Sequence, residues 1–216
     1  MASCVQSAHE SSDLYDQRVE FRFFSKSKDV APGKGKGETI DPKCVYDFKE
    51  LGQIRDWRKK LSNFWISEFE IDGLKWASVE HFYQANKYKN NCPVFYKMFS
   101  LSYKPQADDP KWIKELPEDL STNPAAAKSL GGKTGRYQKI AYRPKNLLLD
   151  AGFFDNGTSE KMMEMGQTAK YEQNAELREV LLATKYAKLV HISRGIPPTT
   201  FHDTMRIRKN LQQHCI

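Results

Sequence analysis

Cysteine is scarce in this sequence and widely scattered. The four cysteines, Cys4, Cys44, Cys92 and Cys215, form no C-x-x-C pair and have no histidine at zinc-finger spacing. A disulfide scaffold needs clustered cysteines, and a structural zinc site needs closely spaced cysteine or histidine ligands. We therefore predict neither disulfides nor a metal site, and no motif implies a cofactor.

Long apolar runs are absent as well. No stretch approaches the roughly 20 apolar residues that a membrane-spanning helix needs. The N-terminal sequence MASCVQSAHESSDLYDQ lacks both the basic leader and the apolar centre of a signal peptide. The sequence therefore predicts a protein that is neither secreted nor bound in a membrane. We expect it in a reducing intracellular setting, cytoplasmic or nuclear.

Acidic residues are outnumbered by basic ones. The chain has 34 lysines and arginines against 27 aspartates and glutamates, a formal net charge of +7. Such a balance suits an anionic partner, either a phosphorylated small molecule or nucleic acid, but an ordinary basic surface explains it equally well. Aromatic residues make up 12% of the sequence, which suits a packed core and excludes a wholly disordered chain.

Local patterns predict an α+β fold, mostly helical, with a small β-sheet. Alternation in VEFRFFSKS predicts a half-buried strand, AKLVHIS a second strand, and the dipeptide Asp72-Gly73 a hairpin with a type I′ turn. Helices are predicted at NPAAAKSLGG, SEKMMEMGQTAKYEQN, AELREVLLATK and HDTMRIRKNLQQ. There is no internal repeat. We expect a single domain over residues 18–216 behind a flexible polar tail at residues 1–17.

The segment AKSLGGKT satisfies a permissive phosphate-loop pattern. A true phosphate loop needs a buried strand before it and a helix after it, so that backbone amides converge on the phosphates. Here the preceding ELPEDLSTNPAA is polar and broken by proline, and too few residues follow before Pro144. We interpret Gly131 and Gly132 as a helix stop. Lys133 and Arg136 are candidate phosphate contacts, with solvated surface cations as the alternative.

The stretch WASVEHFYQANKYK, residues 76–89, predicts a helix capped by Ser78. At 100° per residue, Glu80, Gln84 and Lys87 fall within an arc of roughly 60°. A solvent-facing helix shows the same polar stripe. The density of aromatic residues around it favours a pocket instead.

The segment LSNFWISEFEIDGLKWASVEHFYQANKYK closely resembles the NADAR family of YbiA-like and RibX-like N-glycosidases. That family's signature is a Ser-Asn-Phe turn followed by a strand ending in dGxxWxTxEHyfQaxKf. The matching positions are Ser62, Asn63, Phe64, Asp72, Gly73, Trp76, Glu80, His81, Gln84 and Lys87. A second stretch, TAKYEQNAELREVLLATKYAKLVHIS, is similar to the family's later KfxQnxeLrxLLLaTxxaxLVE segment.

The resemblance implies a NADAR-like fold and cleavage of the bond between a ribose C1 and a nitrogen. The family's substrates are phosphoribosyl-aminopyrimidines or ADP-ribose attached to guanine. Positive charge develops on the sugar as this bond breaks, so a carboxylate beside C1 stabilises that charge or activates water, and Glu80 is the candidate. Lys87 is predicted to orient Glu80 or, if burial lowers its pKa, to attack C1 as an amine. His81 points off the stripe and is predicted to be structural.

The resemblance also implies substrate-binding residues of two kinds. Asn63 and Gln84 are predicted to hydrogen-bond the ribose. Phe64 or Trp76 is predicted to stack on the base.

The chain departs from the family pattern beyond the second stretch. The family's DxxWGxGxxGxNxLG segment is replaced by HISRGIPPTTFHDTMRIRKNL, which has no tryptophan. His191 replaces a glutamate, and Phe201 is a candidate substitute for the missing ring. The family's central arginine is replaced by Gly132-Lys133, and a long insertion lies around residues 137–158.

Three functions therefore stay open. The first is an N-glycosidase acting on an ADP-ribosylated or phosphoribosylated base. The second is a catalytically inactive NADAR-like binding module, or a structural component of a larger, for example viral, assembly. The third is nucleic-acid binding. The expected partner is a phosphorylated ribosyl small molecule or ADP-ribosylated nucleic acid, with a homo-oligomer or an assembly partner as a further option.

Overall fold

The computed structural model describes residues 14–193 and 195–213. Its helices are α1 (Trp57–Leu61), α2 (Val79–Asn86), α3 (Pro93–Met98), α4 (Lys111–Lys114), α5 (Pro124–Gly131), α6 (Thr158–Gln173), α7 (Ala175–Ala183) and α8 (His202–Gln213), with 3-10 helices at Pro42–Phe48 and Leu51–Gln53. Its strands are β1 (Asp16–Phe23), β2 (Thr39–Ile40), β3 (Phe69–Ile71), β4 (Leu74–Trp76), β5 (Arg136–Tyr137), β6 (Ile140–Ala141), β7 (Ala187–Ser193) and β8 (Ile196–Thr200). The predicted α+β class, mostly helical with a small sheet, is confirmed.

The described chain divides into two compact units. One comprises the described residues up to Ser62 together with those from Ala175 onward, and the other comprises residues 63–174. The predicted boundary of the tail needs correction. Residues 1–13 lie outside the described residues, but Asp16 and Gln17, which were assigned to the tail, are the first residues of β1.

The unit formed by the two ends of the chain contains a four-stranded sheet in the order β2-β1-β7-β8. β1 pairs in parallel with β7, with Phe21 opposite Leu189, and β2 and β8 pair antiparallel at the edges. The predicted alternation of β1 is confirmed, since Val19, Phe21 and Phe23 are fully buried. β8 contains Pro197 and Pro198, which lack the backbone N–H that a central strand requires. They are accommodated because β8 lies at the edge of the sheet.

Phe201 and His191 also belong to this unit. Their rings stack with centroids 4.9 Å apart, and Phe201 meets the edge of Phe23 at 5.3 Å. Phe201 therefore contributes to ring packing beside β1 and β7.

The central unit, residues 63–174, has an aromatic core around α2. Val79, Phe82 and Ala85 recur at helical spacing on one face of α2 and are buried. They pack in one cluster with further buried side chains, among them Phe69, Trp76, Tyr88, Phe95, Phe99 and Leu130. The opposite face of α2 carries Glu80, Gln84 and Lys87, so the helix separates a dry core from a polar stripe.

The predicted hairpin is confirmed as β3 paired antiparallel with β4. Asp72 and Gly73 between them have φ values of 56° and 70°, the positive φ at both central residues that a type I′ turn requires. Within the described residues, nothing lies within 4 Å of the position that a Cβ on Gly73 would occupy. Any cost of a side chain here is therefore conformational.

Gly73→Ala is expected to lower the free energy of unfolding by about 1 kcal/mol, because alanine disfavours the left-handed region. Gly73→Asn is the matched control and should lose less, since asparagine tolerates this region. Urea denaturation of the three proteins measures both values. Equal stability of Gly73→Ala and the parent protein would contradict the assignment of the turn.

The start of α2 differs in detail from the prediction. Ser78 occupies the capping position, but its hydroxyl makes no hydrogen bond to the helix backbone. It lies 2.8 Å from Nδ1 of the fully buried His81. Burial lowers the pKa of His81 to about 4, so the imidazole is neutral, which is consistent with the predicted structural role.

The segment AKSLGGKT is the end of a helix and not a phosphate loop. Asn123 caps α5 by accepting a hydrogen bond from the Ala125 N–H at 2.9 Å, and Gly132 terminates the helix. The predicted helix stop is confirmed. Across the part of the chain that the structure describes, no helix is long and apolar enough to cross a membrane.

Candidate active site

Three side chains on the polar face of α2 form a continuous hydrogen-bonded chain. The Gln84 amide donates from Nε2 to Glu80 Oε1 at 2.9 Å, and Lys87 donates from Nζ to Gln84 Oε1 at 2.7 Å. All three side chains are buried. The predicted polar stripe therefore exists, and it faces the protein interior instead of solvent.

The chemistry of the partners fixes the direction of this chain. An ammonium has only donors and a carboxylate only acceptors, so Gln84 must turn its oxygen to Lys87 and its NH₂ to Glu80. Gln84 thus joins two groups of opposite charge that do not hydrogen-bond each other directly. The charge of Glu80 therefore affects the pKa of Lys87, and the charge of Lys87 affects the pKa of Glu80.

Burial moves the pKa values of both ends toward neutrality. Desolvation raises the pKa of Glu80, opposed by the Gln84 hydrogen bond and by the charges of Lys128 and Lys87. Desolvation lowers the pKa of Lys87 to about 8; Glu80 opposes this change, while Arg143 and Lys128 add to it. At this pKa roughly a tenth of Lys87 is an unprotonated amine at pH 7, far more than for an ordinary lysine, as a nucleophilic lysine requires.

Lys87 lies at a cavity of about 340 Å³, called here the Lys87 cavity. Its lining residues are Lys87, Gly131, Gly132, Lys133, Arg143, Leu149 and Phe154. The ammonium of Lys87 also lies 5.0 Å from the centroid of the Tyr83 ring and 5.6 Å from that of Phe154. The cavity combines cationic groups with an aromatic wall, and its size falls within the usual range for small-ligand sites.

Glu80 does not line this cavity. It is 7% exposed and lies behind Gln84, with its backbone N–H donating to the carbonyl of Asn63 at 3.0 Å. Glu80 is therefore not among the side chains that a ligand in this cavity would contact, and its role beside a bound sugar stays a prediction. Lys87 is the member of the chain that a ligand there would meet.

Trp76 requires a further correction. Its ring is fully buried between Phe82 and Tyr96, at centroid distances of 5.3 Å from each, and its Nε1 donates to the Ile71 carbonyl. No face of this ring is open to a base. Trp76 is a core residue, not a stacking platform.

The remaining predicted binding residues take different positions. The Asn63 amide donates to Met163 Sδ at 3.1 Å and accepts from Gln167, so it is held against α6. Phe64 is half-buried, with the Lys128 ammonium 5.3 Å from its ring centroid. None of these residues lines the Lys87 cavity.

The two predicted phosphate contacts, Lys133 and Arg136, differ in their position relative to the cavity. Lys133 lines the cavity and is exposed. Arg136 instead donates to the carbonyl of Lys139 within the β5–β6 hairpin at 2.8 Å and is not among the lining residues. The structure brings Lys133 to Lys87 and leaves Arg136 outside.

Gly131 is a constituent of the site that the sequence showed only as a helix stop. A Cβ at this position would lie 2.5 Å from Gln84 Oε1 and 2.6 Å from Gln84 Cβ. Because the Cβ of Gln84 is rigidly attached to α2, rotation of its side chain cannot relieve the second contact. Only glycine lets α5 approach Gln84 this closely.

Gly131→Ala is therefore expected to force α5 away from α2 and to displace the Gln84 amide. Overpacking of this kind costs about 1–3 kcal/mol of stability. Urea denaturation measures the loss, and Ser129→Ala, a half-buried position on the same helix, is the control. An undiminished stability of Gly131→Ala would show that the two helices are not in tight contact.

The insertion around residues 137–158 supplies three of the seven residues that line the cavity. Asp150 anchors it to the end of α2: its N–H donates to the Lys87 carbonyl at 2.7 Å, and its carboxylate accepts from the N–H groups of Asn90 and Asn91. Arg143, Leu149 and Phe154 reach the cavity from this segment. Sequence reasoning missed them because the segment has no periodicity that would indicate which side chains face inward.

Known proteins similar to this chain include N-glycosidase YbiA from Shigella flexneri serotype 5b (strain 8401) and from Escherichia coli (strain K12). Each is 31% identical over 130 residues, which is 60% of this chain and 60% of the relative. The match thus spans about 60% of the length of these curated relatives. An NMR structure of the E. coli protein YbiA aligns with 93% of this chain and 89% of its own, at 22% identity and a TM-score of 0.49.

The family model described as the NADAR domain matches residues 52–195, which is more than half of the 216-residue chain. The matched range includes the β3–β4 hairpin, and it also includes the end of α2, the end of α5 and the insertion, which together line the Lys87 cavity. The resemblance drawn from the two sequence motifs is thereby confirmed, and this chain belongs to the NADAR family.

Proposed function

We propose that this protein is an N-glycosidase that cleaves the bond between a ribose C1 and a nitrogen. The observation that carries the proposal is a buried lysine of lowered pKa, Lys87, which opens onto the cavity and is coupled to Glu80 through Gln84. Similarity to curated N-glycosidases over 130 residues supports the same reaction class.

Unprotonated Lys87 is the nucleophile in this proposal. Its lone pair attacks C1, while the electron pair of the C1–N bond leaves with the base, which takes up a proton. The sugar ring then opens, the ring oxygen takes the C1–O electron pair and a proton, and an imine remains between C1 and Nζ. Water adds to C1 and the C1–Nζ bond breaks, which frees the sugar and restores the amine.

Glu80 acts as a positioning residue in this mechanism. It fixes the Gln84 amide, which in turn orients Nζ of Lys87. Its negative charge also favours the cationic imine over the neutral amine, and a charge effect of this kind is strong in a desolvated site. Lys133 supplies a cation for a phosphate of the substrate.

The proposed substrates are ADP-ribosylated guanine, free or in nucleic acid, and phosphoribosyl-aminopyrimidine. Both carry phosphate beside a ribose whose C1 bonds to nitrogen. The cationic lining suits the phosphate, and the exposed Phe154 ring at the cavity suits the flat base. A phosphorylated ribosyl small molecule is the simpler ligand for a cavity of about 340 Å³.

Incubation with each substrate tests the proposal, with free ADP-ribose or ribose phosphate measured by chromatography. Borohydride added during turnover should reduce the imine and leave the sugar on the peptide that contains Lys87. Release together with this adduct is the expected result. Absence of both release and adduct with every substrate would overturn the proposal.

A catalytically inactive binding module is the second candidate. The observation that favours it is the withdrawal of Glu80 from the cavity, since a bound ligand meets cations and rings but no carboxylate. Saturable ADP-ribose binding without any release would support this module. Salt-sensitive binding to unmodified duplex would instead support the nucleic-acid function.

A further inference from the structure

Arg143 ties together the end of α5. Its guanidinium donates to the carbonyls of Leu130 at 2.9 Å, Gly132 at 2.8 Å and Lys133 at 3.0 Å, and also to the hydroxyl of Tyr88. These carbonyls lie at a helix C-terminus, where backbone acceptors lack intrahelical partners. The single guanidinium of Arg143 therefore supplies hydrogen bonds to three carbonyls of the turn that forms part of the cavity wall.

The chain makes room for this arginine at Gly135. Gly135 has a φ of +60°, and a Cβ there would lie 2.6 Å from the Arg143 Cβ. The Gly135 carbonyl accepts from the N–H groups of Tyr142 and Arg143 at 3.2 and 3.3 Å. These bonds close the loop between Gly135 and Arg143 and place the Arg143 side chain at the end of α5.

The turn held by Arg143 packs directly against Gln84, the middle member of the Glu80–Gln84–Lys87 hydrogen-bonded chain. Gly131 packs against Gln84 without space for a Cβ, and the Tyr88 hydroxyl donates to the Gly131 carbonyl at 3.3 Å. Tyr88 and Arg143 therefore both hydrogen-bond to the carbonyls of residues 130–133. If this segment moved, Gln84 would lose the surface that keeps its amide between Glu80 and Lys87.

Arg143 is also a permanent charge beside Lys87. Its hydrogen-bond partners are carbonyls and a hydroxyl, so no carboxylate among them neutralises it. The charged and titratable groups around Lys87 are Glu80 and Tyr83 on its own helix, Lys128 on α5, Lys133 beyond it, and Arg143 and Asp150 on the insertion. Of these groups, Glu80 raises the pKa of Lys87, whereas Arg143 and Lys128 lower it. The Asp150 carboxylate is held by the N–H groups of Asn90 and Asn91. Removal of Arg143 should therefore favour the ammonium form of Lys87.

We propose that Arg143 is a positioning residue of the Lys87 cavity, which holds the turn at Leu130–Lys133 against Gln84 and keeps a fixed positive charge beside the Lys87 amine. Its effect on turnover rests on the proposed N-glycosidase function. Its effect on Lys87 does not, because the amine can be titrated without any substrate.

The test compares Arg143→Met and Arg143→Lys with the parent protein and with Arg55→Met. Arg55 is a matched control because its side chain is 90% exposed and lies in the other unit. A pulse of acetic anhydride at a series of pH values, followed by peptide mass spectrometry, reports the titration of Lys87 itself. Steady-state kinetics with the substrate found to be cleaved reports kcat and KM.

In Arg143→Met the pH at half-acetylation of Lys87 is expected to move upward, and kcat at neutral pH to fall about tenfold. Arg143→Lys keeps the charge without the fork, so its titration should stay near that of the parent while kcat falls. Arg55→Met should change neither quantity. If Arg143→Met does not fold, Arg143→Gln replaces it, with the same expected shift.

An unchanged Lys87 titration in the charge-removing variant overturns the proposal, even if its melting temperature falls, because that result describes a purely structural arginine. A shifted titration in a protein that cleaves no substrate has a different meaning. It would sustain the role of Arg143 toward Lys87 while the proposed N-glycosidase function failed.

Discussion

Lys87→Met is expected to lower the rate of C1–N cleavage by on the order of a thousandfold or more, since it removes the proposed nucleophile while retaining an apolar stem of similar length. Borohydride should then leave no sugar on this peptide. Single-turnover kinetics on the preferred substrate measures the loss. Lys89→Met is the matched control, because Lys89 is 45% exposed and pairs with Asp72 at 2.7 Å outside the cavity.

The same residue predicts the pH dependence of the parent protein. The pKa of Lys87 is about 8, and only the unprotonated amine attacks. The rate should therefore rise with pH and level off above this pKa. A rate that does not vary over the neutral and mildly alkaline range, or a Lys87→Met protein with full activity, would contradict the nucleophilic role.

Glu80→Gln is expected to lower kcat by up to about a hundredfold, because the cationic imine on Lys87 loses the negative charge that favours it. The substitution keeps the shape of the side chain and removes its charge. Since Glu80 raises the pKa of Lys87, the rising limb of the pH–rate profile should move to lower pH. This direction is opposite to that expected for Arg143→Met.

Stopped assays over a pH series measure both quantities for Glu80→Gln. Glu115→Gln, at a side chain that is 61% exposed, controls for the loss of a negative charge elsewhere in the same unit. A Glu80→Gln protein with the parent's kcat and an unmoved rising limb would show that Glu80 is not coupled to Lys87. Lys87 would then act without help from the hydrogen-bonded chain through Gln84 to Glu80.

Local sequence was sufficient where one short segment determines the outcome. Asp72-Gly73 predicted the hairpin because few residues other than glycine and asparagine-like ones accept two consecutive positive φ values. The alternation of Val19, Phe21 and Phe23 predicted β1, since a strand exposes alternate side chains to the core. The spacing of Glu80, Gln84 and Lys87 predicted a common face, which follows from helix geometry alone.

Local sequence was insufficient where burial had to be assigned between elements. Trp76 and Phe64 both looked like candidate platforms for a base, yet Trp76 is enclosed by Phe82 and Tyr96. The residues that line the cavity with Lys87 include Arg143 and Phe154, from a segment more than fifty positions later in the chain. No local period marks such residues, because their positions depend on where Asp150 anchors the insertion.

The sequence by itself determined the family, the secondary structure around α2 and the order of three polar residues along one helix face. These features follow from backbone preference and from side chains separated by a few residues. The tertiary structure alone decided that this face is buried, that Lys87 and not Glu80 lines the cavity, and that Arg143 completes its wall. Burial and pairing between distant segments set the charge state of a lysine, and they exist only once those segments have packed together.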